Sequence, residues 1–429
     1  MRARRSIATS TVPETQSPSI WEVLKRLPRP VWMIYLGMFI NRFGTFVLPF
    51  LALHMTKEGY SAGQTSLAMG AYGVGHLLAT LLGGYLADAI GRRNTIVVSM
   101  FSGALSLLAL SQADTFIWFT GLAFMAGLTS ELYRPASSAL LTDLVADEDR
   151  VLAFAVFRFA INAGWAFGPA TAGFLSGYSY FWLFVGDAIT ASLFGLIALV
   201  GLPSLRQRSG ALAERLSLNP FSELAQGFRF ALADFRFVRV LISNALIAVV
   251  FMQMLTTLGL DVKAHGFSEK TYGLILGLNG VIIVLCEIPL TAWTRRQPIL
   301  PLMAAGNALV GMGIGLVAFA GTPISYSLAM VVFTVGEMAA LPVSLAYVAG
   351  LAPEHMRGRY MGIYGLTWAT AIMVGPSLGM LGFAWQPVFF WLGCGLLGAM
   401  AAGVLLIPDH VFRLAGWPKP IIAVGVSKC

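Results

Sequence analysis

Along this chain, apolar runs of about twenty residues alternate with short polar breaks and Gly/Pro punctuation. They fall near 30–55, 64–88, 94–112, 115–138, 151–175, 178–202, 238–260, 270–293, 299–320, 323–350, 360–383 and 387–408. Each is long enough to cross a hydrocarbon core of roughly 30 Å as a helix. The weaker alternation of membrane β-strands, in segments of about ten residues, is absent. Helices satisfy their own backbone hydrogen bonds in lipid. The pattern therefore predicts an all-α integral membrane protein with twelve transmembrane helices.

One long polar stretch, 203–237, interrupts the series with six segments before it and six after. Within it, Phe221 to Phe235 places apolar residues at helical spacing, which predicts an amphipathic helix lying on the membrane surface. The expected organisation is a tail at 1–29, a six-helix bundle at 30–202, the linker at 203–237, a second bundle at 238–408 and a tail at 409–429. The halves also repeat at a constant offset of 207 positions. Gly59-Tyr60-Ser61 returns as Gly266-Phe267-Ser268, Gly73 as Gly280, Pro135 as Pro342, Arg150 as Arg357, and Gly168-Pro169 as Gly375-Pro376. Two related bundles with a solute path between them fit the repeat logic of secondary transporters.

Composition sharpens this picture. Of 429 residues, 57% are hydrophobic and 11% charged, too few charges for a water-facing surface, which carries about 25%. The net charge of +8 is a topology signal. With the N-terminus inside, twenty-two Lys and Arg lie in cytoplasmic segments, Arg92, Arg93, Arg150, Arg357 and Arg359 among them; only Lys57, Lys263 and Lys270 lie outside. The positive-inside rule then places both termini in the cytoplasm. The basic residues leave no reason to expect a nucleic-acid partner. Cys286, Cys394 and Cys429 show no metal or redox spacing. No Gly-Lys-Ser/Thr phosphate loop and no metal-spaced His/Glu cluster occurs. No cofactor, no metal and no enzymatic activity are expected.

Between the second and third segments runs Gly84-x-Leu86-x-Asp88-x-x-Gly91-Arg92-Arg93. In the fifth runs Gly164-x-x-x-Gly168-Pro169-x-x-Ala172-Gly173. With twelve spans and the repeat, these residues resemble the major facilitator superfamily from about residue 30 to 410, and its drug/proton antiporter branch in particular. Ala89 replaces one usual basic position, Ala172 one usual glycine, and the branch's Arg-x-x-Gln-Gly pattern in the fourth helix is missing. The resemblance implies that Asp88 is part of a gate latch reaching the start of the eleventh helix near Gly358-Arg359-Tyr360, with Arg92 and Arg93 serving both latch and topology.

Ionisable side chains inside the bilayer cost at least ~2.5–3.5 kcal/mol at mid-helix, so each asks for a reason. Arg42, His76, Glu131, Arg134, Arg158 and Glu337 are the proton-coupling candidates. Glu131 and Arg134, three apart, share a helix face: either a self-neutralising pair, or a protonatable carboxylate tuned by Arg134, Arg42 or Arg158. Glu337 has no basic neighbour on its own helix. Glu287, closer to the inner face, is either functional or held by a structural partner such as Arg295 or Arg296. Tyr133, Phe157, Trp165, Tyr364 and Trp368 are candidates to line an apolar cavity.

The expected function is proton-coupled export of a small amphipathic organic compound, of the multidrug type, by a monomer in a bacterial inner membrane. The alternative on the same fold is an importer or facilitator of a metabolite or metal chelate.

Overall fold

The computed structural model describes residues 20–146, 149–204, 230, 232–294, 296–353, 357–409 and 411. Among them the chain is helical, in the order α1 (Ile20–Arg26), α2 (Arg29–Phe43), α3 (Val47–Lys57), α4 (Ala62–Ala89), α5 (Arg92–Leu110), α6 (Phe116–Glu131), α7 (Tyr133–Leu144), α8 (Arg150–Ser176) and α9 (Phe181–Gly201). The second half follows as α10 (Phe235–Thr256), α11 (Leu258–Ala264), α12 (Glu269–Thr294), α13 (Ile299–Gly315), α14 (Pro323–Leu351), α15 (Arg357–Trp385) and α16 (Pro387–Leu406). Ten passes are long and apolar enough to cross a membrane. With α6–α7 and α8 beside them, the helices are consistent with the twelve expected from sequence. Exposed Leu105, Ile117, Val200 and Ile324 belong to the apolar outer surface that such a chain turns to lipid.

Three passes are broken, and the sequence pattern did not show it. The first is α2–α3, interrupted at Gly44-Thr45-Phe46. A proline ring clashes with the carbonyl four residues earlier, and Pro49 is four residues after Thr45. The fourth pass, α6–α7, is interrupted only in its hydrogen bonding at Leu132, whose backbone stays helical (φ −59°, ψ −29°), because Pro135 has no N–H to give the Glu131 carbonyl four residues earlier. The seventh, α10–α11, breaks at Thr257 with no proline nearby. There the side chains intervene instead: Thr257 Oγ1 donates to Gln253 Oε1 (2.7 Å), and Gln253 Nε2 donates to the Gly375 carbonyl of α15 (3.0 Å).

Each half packs the same way, as the repeat requires. α2 lies on α8 and α9, α4 on α6, and α5 on α6 and α9; in the second half α10 lies on α15 and α16, α12 on α14, and α13 on α14 and α16. Gly59 (φ 84°) and Gly266 (φ 82°) make matching left-handed turns. The amphipathic segment expected at 221–235 falls almost wholly outside the described residues, as do most of both tails.

The halves meet along two seams, α4 on α15 and α8 on α12. At the end carrying Ser61 and Ser268 the seams are tight. Ser377 Oγ donates to the Ser66 carbonyl (3.1 Å), and a Cβ on Gly73 or on Gly280 would run into the backbone of Met373 or of Ala166. One hydrophobic core crosses both halves there, joining Phe50 and Leu53 to Tyr272, Leu258 and Ile247. Toward the Arg92 end the cores separate, one around Tyr133 and Phe157 and the other around Phe237 and Tyr360. Gly84 on α4 and Gly362 on α15 share the seam face with Gly73 and Met373, yet open space surrounds both. The two bundles are thus joined at one end and parted at the other.

Candidate functional site

The first group of charges lies at the interruption in the fourth pass. Glu131 ends α6, and its Oε2 lies 3.5 Å from Arg42 Nη2 of α2, 3.7 Å from His76 Nε2 of α4 and 3.1 Å from Arg134 Nε. Arg42 is buried, and its guanidinium also sits 5.6 Å above the Tyr133 ring. Arg134 is half exposed. A lone buried carboxylate is costly, and removal of one partner from a buried pair leaves an uncompensated charge. Here two arginines serve one carboxylate, so the group carries a surplus positive charge on its exposed member. The expected pair of Glu131 and Arg134 is present, enlarged by Arg42 and His76.

A second group lies at the α8–α12 seam. Glu287 Oε1 takes a hydrogen bond from Arg158 Nη2 at 2.5 Å, and Oε2 one from Asn162 Nδ2 at 3.0 Å. This corrects the expectation of a local partner after residue 294. Glu287 pairs across the bundles, because α8 and α12 run side by side there. Arg158 is therefore spoken for by Glu287 and is not part of the Glu131 group. Glu337 of α14 stands nearby and is held by a neutral donor, Asn279 Nδ2 of α12, at 2.8 Å. Asn279 also donates to Thr334 Oγ1 at 3.0 Å. Among the described residues no group of His, Cys, Asp or Glu could hold a metal ion.

Two carboxylates escaped the sequence reading. Asp187 lies within the apolar α9, where its Oδ2 accepts from the Val47 backbone N–H at 3.3 Å. Asp261 of α11 is buried and accepts from the Tyr326 hydroxyl and from Trp391 Nε1 (3.0 Å). The signal for Asp187 was present, since a lone carboxylate in an apolar run carries the same cost as Glu337.

The aromatic candidates divide. Tyr133, Phe157 and Tyr364 are packed in bundle cores, with Tyr364 donating to Ser344 Oγ at 3.1 Å. Trp165 and Trp368 are only half-buried, and Trp368 packs edge-on against Phe251. The fifth-helix motif is a packing device on two sides. Gly164 and Gly168 let α2 approach at Phe39 to Phe43, while Gly173 lets α12 approach at Glu269 to Gly273. Pro169 sits inside α8, and its carbonyl faces Gly273 across the seam. In the loop motif, Arg92 pairs with Asp143 and donates to the Ala139 carbonyl (2.7 Å), and Arg93 donates to the Leu199 carbonyl (2.7 Å). Both arginines thus bind their own bundle. Gly91 opens α5 with φ 90°, and Asp88 is in the last turn of α4. The side chains of 358 and 359, its expected partners, lie outside the described residues.

A sequence profile described as Major Facilitator Superfamily matches residues 34–376 and again 262–416. Among curated relatives, the chain is 27% identical over 414 residues to a Na(+), Li(+), K(+)/H(+) antiporter of Planococcus maritimus, covering 87% of this chain and 94% of that one. It is 26% identical to the multidrug resistance protein MdtH of Aeromonas hydrophila, covering 91% and 97%. An uncharacterized MFS-type transporter of Bacillus subtilis, YqjV, is 26% identical over 353 residues, covering 81% and 85%. Solved structures share the fold. The peptide transporter POT in complex with sulfate superposes with a TM-score of 0.73 at 16% identity, covering 94% of this chain and 100% of that one. A D-xylose–proton symporter gives 0.72 at 15%, covering 91% and 98%. Helical passes in two repeated bundles, tight at one end and parted at the other, agree with these matches: the chain is a multi-pass membrane transporter belonging to the major facilitator superfamily.

Proposed function

We propose that this transporter is a proton-coupled antiporter that exports a small amphipathic organic compound, working as a monomer in a bacterial inner membrane. The excess of Lys and Arg at the Arg92 end makes that end cytoplasmic. The structure is then the inward-facing form, closed outside along both seams. The observation that carries the coupling is Glu337, a carboxylate beside the seam whose hydrogen-bond donor, Asn279, is neutral. Among the described residues no cation is bonded to it, so it can change charge by taking or losing a proton as the bundles rock. Glu131, held by Arg42 and Arg134, is the second candidate. Antiport accords with the name of one relative and a drug-like solute with that of another, and the first name favours a second reading in which the exported solute is an alkali cation.

Everted membrane vesicles energised by lactate and containing acridine orange separate these readings. The expected result is loss of the pH gradient on addition of ethidium, lowered at least tenfold in rate by Glu337→Gln. A response to NaCl or KCl alone favours the cation. Accumulation of the probe in the opposite direction indicates an importer. Wild-type rates in both Glu131→Gln and Glu337→Gln would sink the coupling assignment.

A further inference from the structure

Asp187 has no part in the coupling just proposed, yet it sits at the joint of the first pass. Its Oδ2 accepts the N–H of Val47, the first residue of α3. The face of α9 around it is cut to fit the break. Gly44 packs directly on Thr190, where a Cβ would not fit, and a Cβ on Gly186 would meet the Phe46 ring at 2.8 Å. The two sides of this joint belong to different parts of the machine. On one side α2 lies on α8 and α9 of its own bundle, and its last turn carries Arg42, which reaches Glu131. On the other side α3 lies between the bundles, on α10 and α11 of the opposite one and on α4, α8 and α9 of its own. There Phe50 meets the Tyr272 ring at 5.2 Å, and the Tyr272 hydroxyl lies 3.3 Å from the Pro49 carbonyl. α3 is therefore part of the outer seal.

A charged carboxylate accepts an N–H more strongly than a neutral acid does, and the N-terminus of a helix favours negative charge. We infer that Asp187 is a positioning residue whose negative charge docks α3 at the break in the first pass. It thereby ties the outer seal to the Arg42–Glu131 group, and loss of the charge lets α3 swing from the opposite bundle. The inference goes beyond the coupling assignment and uses only its two-state motion. The charged and titratable groups around Asp187 are Arg42 on α2, Tyr72 on α4 and Glu131 on α6, with His54 and Lys57 further along α3. On α5 they are confined to Arg92 and Arg93 at the other end, and on α8 to Arg150 and Arg158.

The test uses pulsed EPR distances in the full chain with its three cysteines replaced by serine. One spin-label pair, Glu58→Cys with Gly321→Cys, reads the outer end, and a second, Gly84→Cys with Gly362→Cys, reads the inner end, from pH 5 to 9. In an otherwise wild-type chain the outer distance should lengthen as pH falls. Asp187→Asn should raise the outer-open fraction at least tenfold at pH 8 and flatten its pH dependence, and Asp187→Glu should restore both. An Asn variant that matches wild type at every pH would overturn the inference, because a mere packing residue would behave so. If the Asn variant fails to fold, amide exchange of Phe46 and Val47 in the wild type decides. Exchange corrected for its intrinsic rate should quicken at least tenfold at low pH, and unchanged protection overturns the proposal. Uncoupling by Glu337→Gln with a silent Asp187→Asn removes this inference alone. An opened seal in Asp187→Asn with ethidium export indifferent to pH gradients removes the coupling assignment alone.

Discussion

The fourth and tenth passes are repeat partners, and each carries a glutamate one position from register: Glu131 corresponds to Met338, the neighbour of Glu337. Their surroundings differ in kind. Glu131 sits at a helix break among two arginines and a histidine. Glu337 sits in the unbroken α14 and is held by an asparagine. Pro135 and Pro342 also correspond, yet only the first accompanies a break. The proline alone therefore does not break the helix. What distinguishes the first half is the cluster of charges around Glu131. One scaffold, duplicated, thus holds one carboxylate in an ionic group and another on a neutral partner.

The comparison breaks most visibly if the ionic group is not what holds the first half together. Arg42→Leu removes a buried partner of Glu131 and should cost roughly 3 kcal/mol, the lower end for a broken buried pair, because His76 and Arg134 remain. Asn279→Ala, the matching loss in the second half, should cost less, at the low end of the about 1.5–3 kcal/mol for a hydrogen bond to a charged group, because it leaves no unpaired cation. Thermal unfolding of the purified protein in detergent ranks the two. Equal losses would mean that the halves differ in composition and not in energetics.

Where the halves are alike, the effects should match. Gly73→Leu and Gly280→Leu each force a side chain into backbone across a seam, an overpacking cost of about 1–3 kcal/mol. Both should part the outer seam, lengthening the distance between labels on Glu58 and Gly321. Gly84→Leu, on the same α4 face but in open space, should leave that distance unchanged. A response to only one of the two seam variants would show that the seams do not close together.

These contrasts also mark how much could be read beforehand. The passes and their repeat were legible because hydrocarbon thickness imposes a run length and Gly59, Gly168 and Pro169 carry local backbone constraints. The Glu131–Arg134 pair was legible because residues three apart share a helix face. The break at Thr257 was not, since it depends on Gln253 reaching the Gly375 carbonyl over a separation of 122 positions. Nor was the partner of Glu287, which lies 129 positions away on α8. Tyr133 and Phe157 looked like cavity aromatics because a sequence gives amphipathic spacing without saying which face meets a neighbour. Asp187 was overlooked as a short side chain in an apolar run, although membrane burial made it as expensive as the glutamates.

The smallest expected effect tests the likeness of the halves at a point where packing plays no part. Gly59 and Gly266 both end a helix in the left-handed region, and the following residue closes the turn, Tyr60 N–H to the Met55 carbonyl (3.1 Å) and Phe267 N–H to the Val262 carbonyl (3.1 Å). A Cβ at either site would meet nothing within 4 Å. The cost of Gly59→Ala or Gly266→Ala is therefore conformational alone, about 1–2 kcal/mol for an L-residue held at positive φ. Asparagine at either site should recover part of it, since its side chain tolerates that region. The two alanine variants should lose stability equally, within a few tenths of a kcal/mol. Their melting temperatures in detergent decide the matter. An unequal loss with equal geometry would place the difference in how the flanking segments, α3 against α11, are held on the opposite bundle.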